Sequence, residues 1–142
     1  MDTLEKLLIE RECQRLILRL THLVDHHVPE EAADLFATNG VWIRGGKTYQ
    51  GRDGIVGSFE GLDQIRVRHV VSNVSVEVSG PETADSTSYY VLFRHDPGAG
   101  ATDLPMPMQL PFSMGEWHDR FVLENGRWRF AFREVKRLFQ RT

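Results

Sequence analysis

The sequence of 142 residues has one cysteine, Cys13. A single cysteine cannot close a disulfide within the chain, and it cannot supply the thiolate cluster of a structural metal site. Because Cys13 lies among apolar residues at helical spacing, we expect a packed side chain rather than a reactive thiol. The scarcity of cysteine favours a reducing compartment and predicts a cytoplasmic protein.

A large excess of charge of one sign is also missing. The chain carries 17 Lys and Arg residues against 20 Asp and Glu residues, which gives a formal net charge of -3. Basic and acidic residues are interleaved, so binding of nucleic acid through its phosphates is not expected. No apolar run is long enough for a transmembrane helix and no signal peptide is recognised, so a membrane is not an expected partner.

Sequence motifs for nucleotide cofactors, catalytic serines and metal ions do not occur. Asp25, His26 and His69 could supply a facial triad of metal ligands in principle, but their spacing matches no metal motif. We therefore expect neither a cofactor nor a metal. With 41% hydrophobic and 26% charged residues the composition is that of a globular protein, and the length predicts a single domain over residues 1–142.

Apolar residues recur at helical spacing early in the chain, and strand patterns dominate after residue 65. Helices followed by antiparallel strands indicate an α+β fold. Residues 96–111 are rich in Pro, Gly, Ala and Met without periodicity, which predicts a mobile loop. The predicted helices cover 3–27, 29–36 and 51–61, a short hairpin covers 41–49, and the predicted strands cover 66–78, 84–95, 112–124 and 127–139.

The last two strands are joined by Asn125-Gly126, the strongest two-residue signal for a type I′ hairpin turn. This turn fixes the register of the two strands. One face changes from apolar to polar away from the turn, which predicts a cavity at its polar end. On that face the register pairs Leu123 with Trp128, Phe121 with Phe130, Asp119 with Phe132, and Trp117 with Glu134. The opposite, outer face carries His118, Arg120, Arg129 and Arg133.

Two residues are candidates for acid–base chemistry. His69 shares one face of its strand with several valines if a bulge occurs near Ser72-Asn73, so its imidazole is predicted to point inward. Asp25 lies in the last turn of the first helix, where its carboxylate can face the sheet and orient His69 for proton abstraction. The alternatives are a solvated carboxylate and a half-buried histidine with satisfied hydrogen bonds. The neighbouring His26 and His27 are expected to be exposed to solvent.

Four segments carry a resemblance to the SnoaL-like branch of the nuclear-transport-factor-2-like superfamily: V-D-H-H-V-P-E-E-A-A-D-L-F, Y-Q-G-R-D-G-I, R-H-V-V-S-N-V and G-E-W-H-D-R-F-V-L-E-N-G-R-W-R-F. The resemblance covers almost the whole chain. It implies N-terminal helices packed in a strongly curved antiparallel sheet, a cone-like α+β barrel with an internal pocket. It also implies a homodimer that packs through the outer sheet face.

The resemblance also implies a chemistry. Similar members, which include scytalone dehydratase, hexachlorocyclohexane dehydrochlorinase and bile acid dehydratase, use an aspartate and a histidine for proton abstraction and elimination without a cofactor. Asp25 and His69 fall where those motifs place the pair. Arg137 falls near the terminal-strand arginine of the bile acid enzyme, where it would stabilise an enolate oxygen. The tyrosine common before the aspartate in dehydratases is absent, so dehydration of scytalone itself is not expected.

We therefore predict a cofactor-independent lyase, isomerase or cyclase for a small hydrophobic cyclic compound, with His69 as the base and Asp25 as its partner. A loop that carries Met106, Met108 and Leu110 is expected to close over the ligand. The alternatives are a non-catalytic assembly partner resembling the β subunit of ring-hydroxylating dioxygenases, and a small-ligand-binding module. The predicted substrate contacts are Trp42, Tyr49, Tyr90, Trp117, Asp119, Phe132 and Arg137.

Overall fold

Three helices and a six-stranded sheet make up the computed structural model, which describes all 142 residues. The predicted α+β fold is confirmed, and each predicted helix and strand is present, although the third helix ends four residues earlier than predicted and the first strand begins five residues earlier. The helices are α1 (Thr3–Asp25), α2 (Pro29–Asp34) and α3 (Gly51–Gly57). The strands are β1 (Phe36–Arg44), β2 (Lys47–Gln50), β3 (Arg66–Gly80), β4 (Thr83–His95), β5 (Ser113–Glu124) and β6 (Arg127–Gln140).

The long helix α1 begins at a capping box, in which the side chains of Asp2 and Glu5 each accept the other residue's backbone N–H. Its apolar stripe packs against β3 and β6. None of the three helices has both the length and the apolar character needed to span a membrane. The buried stripe of α1 consists of Ile9, Cys13, Ile17, Leu20 and Leu23.

The strands form one sheet in the order β2-β1-β6-β5-β4-β3. The sheet is open, with β2 and β3 at its edges, and all neighbouring strands are antiparallel except β1 and β6, which are parallel. The expectation of a purely antiparallel sheet is therefore wrong at this one pairing. Short turns enforce antiparallel pairing only between consecutive strands, and more than half of the chain separates β1 from β6.

A bulge in β3 confirms the prediction made for Ser72-Asn73. The pairing of β3 with β4 shifts between Ser72 and Ser75, and Asn73 adopts a positive φ of 51°. On both sides of the bulge the alternate residues are half-buried, so Val71 and Val74 lie on the same face of the sheet. His69 therefore points to the helix-covered side, as predicted.

A second bulge, at Ala131 in β6, corrects the predicted hairpin register. The pairs nearest the turn, Leu123 with Trp128 and Phe121 with Phe130, are confirmed. Beyond them the pairing shifts by one residue, so that Asp119 lies opposite Arg133 rather than Phe132. Trp117 likewise lies opposite Val135 rather than Glu134. The turn fixes the register only as far as the next irregularity, and an added residue exchanges the faces of every residue after it.

The exchange of faces in β6 corrects two further predictions. Arg133, expected on the outer face, is directed inward and is 1% exposed. Phe132, expected inside, lies on the outer face, where the guanidinium of Arg120 covers its ring with Cζ 5.4 Å from the centroid. The core between helices and sheet ends near the last turns of α1, where Thr21 and Val24 border a pocket.

Candidate active site

A pocket of about 370 Å³ lies between the C-terminal end of α1 and the inner face of the sheet. Its volume is in the range of small-molecule sites. One wall carries His69, Tyr90 and Trp117, and another carries Trp42 and Arg44. Five of the seven predicted contacts line this pocket: Trp42, Tyr49, Tyr90, Trp117 and Arg137.

The carboxylate of Asp25 holds His69 at two points. Its Oδ1 lies 2.6 Å from the imidazole Nδ1, and its Oδ2 accepts the backbone N–H of the same histidine at 3.1 Å. The side chains of Asp25 and His69 are 5% and 14% exposed. The contact forms because α1 ends at Asp25, next to the inward-facing His69 of β3. With Nδ1–H donating to the carboxylate, Nε2 is left as the basic nitrogen of the ring.

Two aromatic rings frame the imidazole. The ring centroids of Tyr90 and Trp117 lie 5.9 Å and 5.6 Å from that of His69. Tyr90 and Trp117 are themselves stacked, 5.1 Å apart with 15° between their planes. They pack this closely beside Gly115, where a Cβ atom would lie 2.9 Å from the Tyr90 hydroxyl. The result is a flat, apolar wall next to the candidate base.

Asp119 takes part in a buried ion pair. Arg133 donates from Nε to Oδ1 at 2.7 Å and from Nη2 to Oδ2 at 2.9 Å. The guanidinium also covers the ring of Trp117, with Cζ 4.2 Å from the centroid. Arg133 borders the pocket, whereas Asp119 does not. Asp119, predicted to contact the ligand directly, is therefore set back from the pocket and bound to Arg133.

Sequence analysis missed a second inward arginine, Arg44. Its Cζ lies 4.3 Å from the ring centroid of Trp42 and 5.0 Å from that of Phe59. Burial lowers the pKa of the Arg44 guanidinium to about 10, and Arg133 adds to this shift while Tyr49 opposes it. The signal was available, because only Ile43 separates Arg44 from Trp42 and alternate residues of a strand share a face.

Several residues lie elsewhere than predicted. Phe132 is on the outer face because of the bulge, and it does not line the pocket. The loop methionines and leucine also do not line it; Met108 and Leu110 are 82% and 77% exposed. His27 is half-buried at the pocket, with its ring 5.7 Å from that of Phe59, whereas His26 is exposed as predicted. No group of three or more His, Cys, Asp or Glu side chains is arranged to hold a metal ion.

Comparison with known proteins gives a family match over residues 5–134, to the model described as a SnoaL-like domain. Comparison with curated proteins gives no match.

Among solved structures, a protein from Novosphingobium aromaticivorans DSM 12444 proposed to be a scytalone dehydratase is 21% identical, with a TM-score of 0.80 over 97% of this chain and 89% of that chain. A nuclear-transport-factor-2-like protein with a cystatin-like fold from the same organism is 24% identical, with a TM-score of 0.75 over 94% and 84%. The hexachlorocyclohexane dehydrochlorinase LinA-type3 from Novosphingobium barchaimii LL02 is 14% identical, with a TM-score of 0.81 over 99% and 93%. At these identities the likeness establishes a shared fold.

Proposed function

Because the chain belongs to the SnoaL-like domain family, we propose that it is a cofactor-independent acid–base enzyme, a lyase or isomerase acting on a small cyclic compound in the inner pocket. The observation that carries this proposal is the 2.6 Å contact between Asp25 Oδ1 and His69 Nδ1 at the pocket wall. A carboxylate that fixes one imidazole nitrogen prepares the other nitrogen to accept a proton.

In the proposed reaction, His69 Nε2 removes a proton from a substrate carbon next to an electron-withdrawing group such as a carbonyl. The C–H bond breaks, an N–H bond forms, and the electron pair passes into the substrate as an enolate. The negative charge of Asp25 stabilises the imidazolium that results. The enolate then expels a leaving group, with the imidazolium proton delivered to a departing hydroxide, or it is reprotonated at another carbon.

The pocket wall suits a ring-shaped substrate. Tyr90 and Trp117 offer a flat apolar surface beside the imidazole, so a planar ring stacked there brings its edge towards His69. Two of the structurally similar proteins carry names of eliminating enzymes, one a dehydratase and one a dehydrochlorinase. These names support a lyase reaction, in which water or a halide leaves after proton abstraction.

Turnover separates this proposal from its alternatives. The protein is incubated in D₂O with cyclic ketones of one or two rings that bear a β-hydroxyl or β-halogen group. Proton NMR then follows loss of the α-proton signal and appearance of the unsaturated ketone. We expect exchange or elimination that His69→Ala slows by about 10²-fold or more. A His69→Ala variant with wild-type rates contradicts the proposal, whereas binding of these compounds without any exchange favours a ligand-binding module.

We also propose that the protein is a cytoplasmic homodimer. The buried lone Cys13 is compatible with a reducing compartment, and the outer sheet face, with His118 and Arg120, is free of helices. Light scattering coupled to size-exclusion chromatography tests the assembly: a dimer is expected. A trimer, or solubility only with an iron–sulfur subunit, would instead favour the assembly-partner alternative.

A further inference from the structure

Three polar groups in the pocket wall have no hydrogen-bond partner. They are the indole Nε1 of Trp42, the guanidinium Nη1 of Arg44 and the hydroxyl of Ser113. All three atoms are shielded from solvent. Buried polar groups in proteins are nearly always paired, so three unpaired groups on residues that line one pocket favour a ligand with acceptor atoms. Two of the three, the N–H groups of Trp42 and Arg44, can only donate.

The charged residues that line the pocket also favour a ligand with acceptor atoms. Its lining contains one acidic residue, Glu60, against five cationic ones: Arg44, Lys47, Arg94, Arg133 and Arg137. Arg133 is neutralised by Asp119 at 2.7 Å, and Arg94 is neutralised by Asp96 at 2.7 Å. Arg44 forms no ion pair with any carboxylate of the chain, although the residue is half-buried and loss of hydration lowers the pKa of its guanidinium.

We propose that the pocket takes a ring compound bearing a carboxylate, and that Arg44 and Trp42 bind the carboxylate oxygens. This inference rests on the proposed function in one respect, since it names the substrate class for the same pocket. The Cζ atom of Arg44 lies over the rings of Trp42 and Phe59, and the N–H groups at the edge of a guanidinium are the atoms that bind an oxyanion. Hydrogen bonds between a guanidinium and a carboxylate are among the strongest that proteins make.

The position of Arg44 also defines how such a ligand lies. Arg44 and Trp42 are on β1, whereas His69 is on β3, and both walls border the same pocket. β6, β5 and β4 lie between them in the sheet. A carboxylate bound at β1 therefore places the rest of the ring towards the stacked Tyr90 and Trp117, beside the candidate base. The anionic group is an anchor in this arrangement, remote from the proton that His69 removes.

The test compares a carboxylate with its neutral isostere. Ligand-observed NMR titration measures the Kd of 2-naphthoate and of 2-naphthamide for the wild-type protein and for Arg44→Gln. We expect the wild type to bind 2-naphthoate about tenfold or more tightly than 2-naphthamide, which corresponds to one charge-assisted contact. Arg44→Gln should remove most of this preference by weakening 2-naphthoate while leaving 2-naphthamide nearly unchanged.

Arg15→Gln is the matched control, because it makes the same change of side chain and charge at an exposed residue of α1 that does not line the pocket. It should retain the preference. Equal affinity of the wild type for both compounds overturns the proposal, and so does a preference that survives in Arg44→Gln. Should Arg44→Gln fail to fold, Arg44→Met replaces it, since an apolar side chain of similar length covers Trp42 without a buried charge.

Binding and turnover are measured separately, so the two proposals fail separately. A carboxylate preference that depends on Arg44, together with no proton exchange on any ketone, contradicts the catalytic proposal alone. Proton exchange that depends on His69, together with no carboxylate preference, contradicts the proposal for Arg44 and Trp42 alone.

Discussion

Arg133 connects Asp119 to Trp117 inside the pocket wall. One edge of its guanidinium is bound to the carboxylate and its face covers the indole, and both charged side chains are almost completely shielded from solvent, at 2% and 0% exposure. Trp117 in turn borders His69. The ion pair thus links β5 and β6 and holds the aromatic wall in place next to the candidate base.

This ion pair predicts a strong effect on stability. Asp119→Ala should lower the free energy of unfolding by about 3–5 kcal/mol, because it leaves the guanidinium of Arg133 buried without a counter-charge. Urea denaturation followed by circular dichroism measures the loss. The double variant Asp119→Leu with Arg133→Met removes both charges and should recover much of it. If the double variant instead loses the sum of the stability losses of the two single variants, this explanation is contradicted.

A second prediction concerns the hydrogen bond between Asp25 and His69. Asp25→Asn removes the negative charge that stabilises the imidazolium, so turnover of any substrate found in the ketone panel should fall by about 10² to 10⁴-fold. The loss should appear in kcat, with KM changed little, because Asp25 does not line the pocket. His26→Ala is the matched control at the adjacent exposed residue, and it should keep wild-type kcat. A loss confined to KM would argue against an acid–base role.

Two glycines give opposite predictions. At Gly115 a Cβ atom would collide with the carbonyl oxygen of Lys136 and approach the Cα of Arg137 to 3.0 Å. Gly115→Ala should therefore destabilise the protein by more than about 2 kcal/mol and disturb Tyr90. At Gly57 nothing lies within 4 Å of a Cβ atom, and the residue is in α3. Gly57→Ala should leave stability unchanged or raise it by up to about 1 kcal/mol. Thermal unfolding of both variants checks the contrast.

The lone cysteine predicts a pH dependence of stability. Burial, followed by the charges of Glu12, Asp119 and Glu10, raises the pKa of the Cys13 thiol from 9.0 to about 12. The unfolded chain loses this proton at lower pH than the folded protein does. The contribution of the protonated Cys13 thiol to the free energy of unfolding is therefore complete below pH 9. It decreases as the pH rises from about 9 to about 12.

Cys13→Ala isolates this contribution, since the decrease above pH 9 should be smaller in the variant than in the wild type. Guanidinium denaturation at a series of pH values measures the difference. The same burial predicts that Ellman's reagent at pH 8 does not react with the native thiol and reacts once the protein is unfolded in urea. Rapid labelling of the native protein would show that Cys13 is accessible.

Much of the fold could be predicted because local patterns agree with the tertiary structure. The four-residue spacing of Cys13 and Ile17 and the three-residue spacing of Ile17 and Leu20 determine which face of α1 is buried, and Asn125-Gly126 determines one hairpin. The parallel contact of β1 with β6 could not be predicted in this way. Its partners are distant in sequence, and no turn residue between them encodes a direction.

The candidate site was predictable where a periodic pattern set the direction of a side chain. The bulge at Ser72-Asn73 could be anticipated, because without it the valines of β3 would face both sides of the sheet. The bulge at Ala131 could not, since Phe132 and Arg133 are each compatible with either face until the buried carboxylate of Asp119 is known. Arg44 was overlooked because charged residues are rarely buried without a partner.

The added residue at Ala131 has an evolutionary consequence. Deletion of Ala131 would remove the bulge and leave every later pair unchanged, so Arg133 would stay inward opposite Asp119 and Phe132 outward opposite Arg120. Regular pairing through Ala131 would instead turn Phe132 inward and exchange a cationic wall for an aromatic one, without altering the number of strands or their order. Within one fold, proteins of this kind can therefore diverge in the polarity of their ligands by opening or closing a bulge in β6, even when every side chain that contacts the ligand elsewhere stays the same.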